Sequence, residues 1–214
     1  MSAKPSLEAY LRPLPLVAVL RGITPSEIAG VSAALCESGF RILEVPLNSP
    51  QPYESIRRLA KELGDRCLTG AGTVLRVEEV ALVAEAGGRL IVMPHGDPAI
   101  VREAKNRDLV CLPGVSTLTE AFAALDAGAD GLKMFPAELL TPAVLKAWRA
   151  VLPKEARVFP VGGIRPDNMA AYWAVGADCF GTGSNLYQPG ARPEAVRKVA
   201  AEYAAAFAAL APRR

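Results

Sequence analysis

Short apolar runs return roughly every 20 to 26 residues: 16–20, 42–47, 67–72, 90–94, 110–114, 131–136, 157–163 and 178–184. That interval suits one strand plus one helix. The intervening segments have helical spacing, as in 54–63, 78–86 and 99–107, and several open with Pro or Asp and close near Gly. Thr24-Pro25 to Gly39, Thr141-Pro142, and Asp167-Asn168 to Gly176 show that punctuation. Eight strand–helix units without an internal linker predict a (β/α)8 TIM barrel, taken as one domain over residues 1–214. An open doubly wound sheet uses the same unit, but no strand–turn–helix here carries a GxGxxG fingerprint. The segment before residue 15 reads as a short extra N-terminal helix, and 195–211 as the helix of the last unit.

About half of the 214 residues are hydrophobic, enough for one large core. Net charge is only +2 and the charges are interleaved, which argues against nucleic-acid and membrane-surface partners. The longest early apolar run, 16–20, stops at Arg21 and is too short for an export signal or a membrane span. Cys36, Cys67, Cys111 and Cys179 lack CxxC spacing and read as buried thiols of a reducing compartment, so a cytoplasmic protein is expected. The single histidine, His95, cannot build a His-rich metal site, and no metal is expected. It reads as a rim residue, with Asp97 capping the next helix.

Chemistry in a barrel gathers at the C-terminal strand ends. Four runs end at or near proline, at Pro46, Pro94, Pro113 and Pro136, and these mark a common rim. Arg21, Glu44, Thr73 and Lys133 fall at that same end of four different runs. Period-two alternation pairs Ile42 with Glu44, Ala71 with Thr73, and Lys133 with Phe135 on inward faces; Leu43, Val45, Leu132 and Met134 face the helices. The bland alternatives are a solvent arginine, a buried Glu44–Lys133 ion pair and a turn threonine, but structural ion pairs have no reason to prefer one strand end. The glycine-rich turns VGGIRPDN (161–168) and GTGSN (181–185) follow the seventh and eighth runs, where barrels cradle phosphate.

A desolvated lysine has a lowered pKa and can attack a ketone to give a Schiff base. Glu44 would move the protons, Arg21 would clamp a carboxylate, and the glycine turns would hold a phosphate. A phosphorylated 2-oxo acid fits those roles. A phosphate-binding isomerase, epimerase or synthase, or an inert sugar-phosphate-binding barrel, would use the same cradle without the covalent lysine.

The chain resembles the class I 2-keto-3-deoxy-6-phosphogluconate and 6-phosphogalactonate aldolases over about residues 14 to 190. VAVLRGITP, LEVPLNSP, GAGTV, MPHGDP, LPGVSTLTEA, LKMFPAE, VGGIRPDN and GTGSNLY carry the resemblance, in order. It implies a homotrimer of barrels that splits a phosphorylated 2-oxo sugar acid to pyruvate and glyceraldehyde 3-phosphate, and no cofactor is expected. It assigns Lys133 the Schiff base and Glu44 the proton shuttle. Arg21, Thr73, Pro94 and Phe135 would then meet the pyruvate part, and Gly162, Gly163, Gly183 and Ser184 the phosphate. Many gluconate-type members carry an arginine shortly after the catalytic glutamate and a threonine before the glycine pair that ends the seventh strand. Here Asn48 and Val161 stand there, which looks like the galactonate branch and makes these two the specificity positions. Gluconate cleavage, with or without 4-hydroxy-2-oxoglutarate cleavage, is the alternative.

Overall fold

The computed structural model describes residues 6–210. Each expected run contains a strand: β1 (Leu16–Val19), β2 (Ile42–Pro46), β3 (Leu68–Gly72), β4 (Leu90–Val92), β5 (Val110–Leu112), β6 (Gly114–Val115), β7 (Leu132–Met134), β8 (Val158–Pro160) and β9 (Phe180–Thr182). β5 and β6 are two halves of the fifth barrel strand. Pro113 lies between them, has no N–H to give, and interrupts the ladder. All pairings are parallel, in a six-stranded sheet β5-β4-β3-β2-β1-β9 and a three-stranded sheet β6-β7-β8. The two halves of the fifth strand join the sheets on one side, and a Val161–Gly181 bridge joins β8 to β9 on the other. The ring therefore closes as a barrel, and the open doubly wound alternative falls.

The helices are α1 (Leu7–Tyr10), α2 (Ile28–Glu37), α3 (Pro52–Leu63), α4 (Val77–Glu85), α5 (Pro98–Asn106), α6 (Leu118–Asp126), α7 (Pro142–Arg149), α8 (Met169–Ala174) and α9 (Pro193–Ala208). Proline opens α3, α5, α7 and α9, where its missing N–H costs nothing. Asp97 Oδ1 accepts from Ala99 N at 2.8 Å and caps α5. The expected start of α2 at Thr24-Pro25 is corrected. The Glu27 carboxylate folds back onto the Thr24 N–H and hydroxyl, at 2.8 and 2.5 Å, and makes a separate turn before Ile28.

Two apolar clusters divide the labour. Leu16, Ala18, Leu43, Val45, Leu132 and Met134 pack outward against the helices. Val17, Ile42, Leu68, Leu90, Val92, Val110, Leu112 and Phe159 fill the barrel, with Leu7 of α1 in the same cluster. The inner cluster forms the floor beneath the rim. One expectation about the thiols also needs correction: Cys36 is only partly buried, and it meets Cys67 in space.

Candidate active site

Above the inner cluster, the C-terminal strand ends surround a cavity of about 410 Å³. Arg21, Thr73, Pro94, Lys133, Phe135, Val161, Gly162, Gly163, Gly183 and Ser184 all line it. Glu44 lies one layer lower, bordering a space of only about 10 Å³ that it shares with Lys133, Val161 and the apolar floor. That space has room for one water at most. Asn48 does not reach the cavity wall. Its Oδ1 accepts a 2.8 Å hydrogen bond from Arg21 Nη1, which sets it behind the guanidinium. Ser49 Oγ, which accepts from Gly22 N at 2.9 Å, ties the same two loops together.

The centre of the site is an acid and an amine removed from water. Glu44 is 1% exposed and Lys133 7%. Burial pushes the Glu44 carboxyl from 4.5 up to about 7, against the pull of the Lys133 and Arg21 charges. Burial likewise lowers the Lys133 ammonium below its ordinary value; Glu44 opposes that shift and Arg21 adds to it. Each group is thus held toward its neutral form. Glu44 Oε2 has no hydrogen-bond partner among the described residues. The Lys133 Nζ stands over the Phe135 ring, 4.8 Å from its centre.

Backbone geometry makes room for this pair. The fifth-strand break gives Lys133 its ladder contacts: its N–H reaches Pro113 O at 2.9 Å, and Gly114 is its register partner on β6. On the other side, a Cβ at Gly72 would lie 1.9 Å from Glu44 Oε2, so only glycine leaves space for the carboxylate. The alternation expected for the third run is corrected here. Ala71 packs outward in the helix-facing cluster, and the glycines flank it. Thr73 still reaches the cavity because its backbone turns into the left-handed region at φ 53°, an uncommon conformation for a β-branched residue.

The two glycine turns form the opposite wall. Gly162 and Gly163 have φ of 105° and 62°, which other residues rarely adopt. Among the described residues, the amides of Gly162, Gly163 and Ser184 donate to no other protein group. The wall is built from these loop amides and not from a helix end, since α8 begins only at Met169. Asn168 Nδ2 holds Gly163 O at 2.9 Å, and Asn185 Nδ2 holds Ile164 O at 3.3 Å.

Three residues escaped the sequence reading. Glu138 lines the cavity against the glycine pair, where a Cβ on Gly162 would meet its Oε2 at 2.2 Å. Gly72 and Gly181 face side chains that a methyl group would strike, Glu44 and Val161 respectively. Glycine inside a strand run is the signal that would have found the last two. His95 is exposed at the rim, and no group of His, Cys, Asp and Glu among the described residues is arranged to hold a metal.

Comparison with known proteins places this geometry in context. The model of the KDPG and KHG aldolase family matches residues 7–201. A probable 2-dehydro-3-deoxy-6-phosphogalactonate aldolase of Rhizobium meliloti is 48% identical over 196 residues, 92% of each chain. The KHG/KDPG aldolase of Escherichia coli K12 is more distant, at 33% identity over 80% of each chain. Among solved structures, native KDPGal superposes with a TM-score of 0.90 at 43% identity, covering 92% of this chain and 95% of that one.

Proposed function

The chain belongs to the KDPG and KHG aldolase family and is a carbon–carbon lyase, and from that premise we propose that it cleaves 2-dehydro-3-deoxy-6-phospho-D-galactonate to pyruvate and D-glyceraldehyde 3-phosphate through a Schiff base on Lys133. The observation that carries this reading is the buried Glu44–Lys133 couple at the floor of a cavity walled by free glycine amides. The neutral Lys133 amine attacks the C2 ketone, and loss of water leaves a protonated imine that draws electrons from the C3–C4 bond. A base must take the C4 hydroxyl proton as that bond breaks and must return a proton to C3 afterwards, before water hydrolyses the imine to free pyruvate and the Lys133 amine. Glu44, held near pH 7, is matched to both duties. Arg21, oriented by Asn48, is placed to pair with the substrate carboxylate. Phe135 and Pro94 border the pyruvate part, and Thr73 offers a hydroxyl there. The amides of Gly162, Gly163 and Ser184 supply donors for the phosphate, with Gly183 allowing close approach.

The choice of galactonate rests on the relatives and on Val161. This side chain borders both the cavity and the space above the floor, and it presents an isopropyl group where a hydroxyl would bond one C4 configuration. The reading includes a cytoplasmic homotrimer. The family resemblance supports self-association, and sedimentation of the full chain tests it. No helix among the described residues is long and apolar enough to cross a membrane.

Borohydride reduction in the presence of pyruvate tests the covalent step: an adduct is expected on Lys133 and on no other lysine, and an unmodified Lys133 sinks the reading. Side-by-side kcat/KM on the galactonate and gluconate substrates tests the epimer. A higher value for galactonate is expected, and a higher value for gluconate reverses the assignment.

A further inference from the structure

The mouth uses none of the four thiols, yet two of them form a second chemical cluster at the opposite end of the barrel. Cys36 lies in the last turn of α2 and Cys67 directly precedes β3. They are 31 residues apart in sequence, and their Sγ atoms are 3.4 Å apart in space. The pair opens onto a surface groove of about 640 Å³ walled by Ser32, Glu37, Arg41, Glu62 and Arg66. Cys36 is partly exposed in that groove, and Cys67 is buried behind it.

The pair differs from the other thiols in kind. Burial pushes Cys111 up to about 12 and also holds Cys179 well above its ordinary value, so both are inert packing groups. Cys36 moves the other way. Its hydrogen-bond contact with Cys67 favours the thiolate, and Arg41 and Arg66 add positive charge; together these outweigh burial and the Glu37 carboxylate. The same hydrogen bond raises Cys67, which keeps its proton while Cys36 is the thiolate. The charges around the thiol are themselves anchored. Arg41 Nη1 donates to Cys36 O and Phe40 O, both at 2.8 Å, and Arg66 Nη2 donates to Glu62 O at 2.9 Å. Glu37 is paired with Arg197. A partly exposed sulfur with a second sulfur in contact behind it has the layout of an attacking and a resolving thiol.

We propose that Cys36 and Cys67 are a redox-active dithiol, a modification site that takes low-molecular-weight disulfides and closes into an internal disulfide. The Cys36 thiolate attacks one sulfur of the small disulfide. That S–S bond breaks, one small thiolate leaves and takes a proton from solvent, and Cys36 is left in a mixed disulfide. Cys67 then gives its proton to solvent and attacks Cys36 Sγ, displacing the second small thiolate, which is protonated in turn. Two protein thiols are oxidised by two electrons, and one small disulfide is reduced to two thiols. Closure requires the sulfurs to approach from 3.4 Å to about 2.05 Å. The bridge ties the end of α2 to the entry of β3, and it crosses a loop long enough to restrict the unfolded chain.

The test is to equilibrate the full chain in glutathione buffers of increasing oxidised fraction, quench with acid, alkylate the remaining thiols and map the peptides by mass. A Cys36–Cys67 disulfide is expected, with Cys111 and Cys179 alkylated as free thiols. The Tm of the bridged protein should rise by roughly 5–10 °C over the reduced one. Cys67→Ala should stop at a glutathione adduct on Cys36, and Cys36→Ala should leave Cys67 unreacted; cooperative thermal unfolding of each variant verifies that it is folded. Failure to form the bridge, oxidation spread equally over all four cysteines, or an unreacted Cys36 in folded Cys67→Ala overturns the proposal.

Discussion

Replacing Glu44 by Gln should make the protein more stable, and by an amount that depends on pH. The carboxyl ionises near 4.5 in the unfolded chain and near 7 in the fold, because burial penalises its charge more than Lys133 and Arg21 reward it. Between those two values the folded state holds a proton that the unfolded state has released. Wild-type stability therefore falls as pH rises through the window and stays reduced above it. At about 1.4 kcal/mol per pH unit of displacement, the full penalty is about 3 kcal/mol at pH 8 and under ~1 kcal/mol at pH 5. Glutamine resembles the protonated acid in shape and never ionises, so it avoids that penalty. Glu44→Gln should gain roughly 3 kcal/mol at pH 8, near 10 °C in Tm, and little at pH 5. Urea denaturation of both proteins at the two pH values measures it. The same variant should still be trapped by pyruvate and borohydride, since removing Glu44 removes the one influence that raises the Lys133 ammonium. It should, however, lose exchange of the pyruvate methyl protons. Equal stability differences at the two pH values would refute the burial argument, and unchanged methyl exchange would remove Glu44 from the proton transfers.

Four further outcomes follow from the same geometry. Lys133→Met should abolish cleavage and raise thermal stability, because it removes a desolvated ammonium; a fall in Tm would mean that the lysine holds the fold. Gly72→Ala places a methyl group 1.9 Å from Glu44 Oε2, so kcat should fall strongly for a stability loss of about 1–3 kcal/mol, measured by steady-state kinetics and denaturation. Asn48→Ala frees the Arg21 guanidinium and should raise KM about fivefold with little change in kcat, whereas a kcat effect alone would place Asn48 elsewhere in the mechanism. Val161→Thr should shift the galactonate-to-gluconate ratio of kcat/KM about tenfold or more toward gluconate, and an unmoved ratio would release Val161 from the specificity role.

How legible the site was depended on how regular the backbone is. Lys133 and Glu44 stand inside extended strands, where alternation alone separates inward from outward residues, and the outward neighbours Leu43, Val45, Leu132 and Met134 pack against the helices as that rule requires. Alternation failed one residue beyond β3, because it assumes that the chain stays extended and Thr73 turns to positive φ. Glu138 was hidden for the same reason: it follows β7 in a turn, where no period operates. Its neighbours Gly162 and Gly163 were legible as glycines, but the carboxylate they make room for was not. Cys36 and Cys67 read as unrelated thiols, since their contact depends on how far the end of α2 overlaps the entry of β3. The rim prolines did mark one end of the barrel, but Pro113 also splits a strand, a consequence visible only once its partners Gly114 and Lys133 are paired.

The remaining question is whether Glu44 and Lys133 are a structural ion pair that happens to lie at the rim. A buried pair kept for stability has to recover its desolvation through close contact and full hydrogen bonding. This couple lacks the second: Glu44 Oε2 is left without a partner among the described residues, and burial drives both groups toward neutrality despite their mutual attraction. Val17, Val92, Leu112 and Phe159 beneath them offer no polar group to complete the bonding. The glycine at position 72 removes the methyl group that would crowd the carboxylate aside, and the broken fifth strand seats the lysine backbone in register. The fold thus sustains an incompletely bonded acid and an uncharged-leaning amine that a simple aliphatic pair would outperform in stability. Such an arrangement is retained where a third molecule completes the bonding, and the cavity directly above Lys133 is the place open to it.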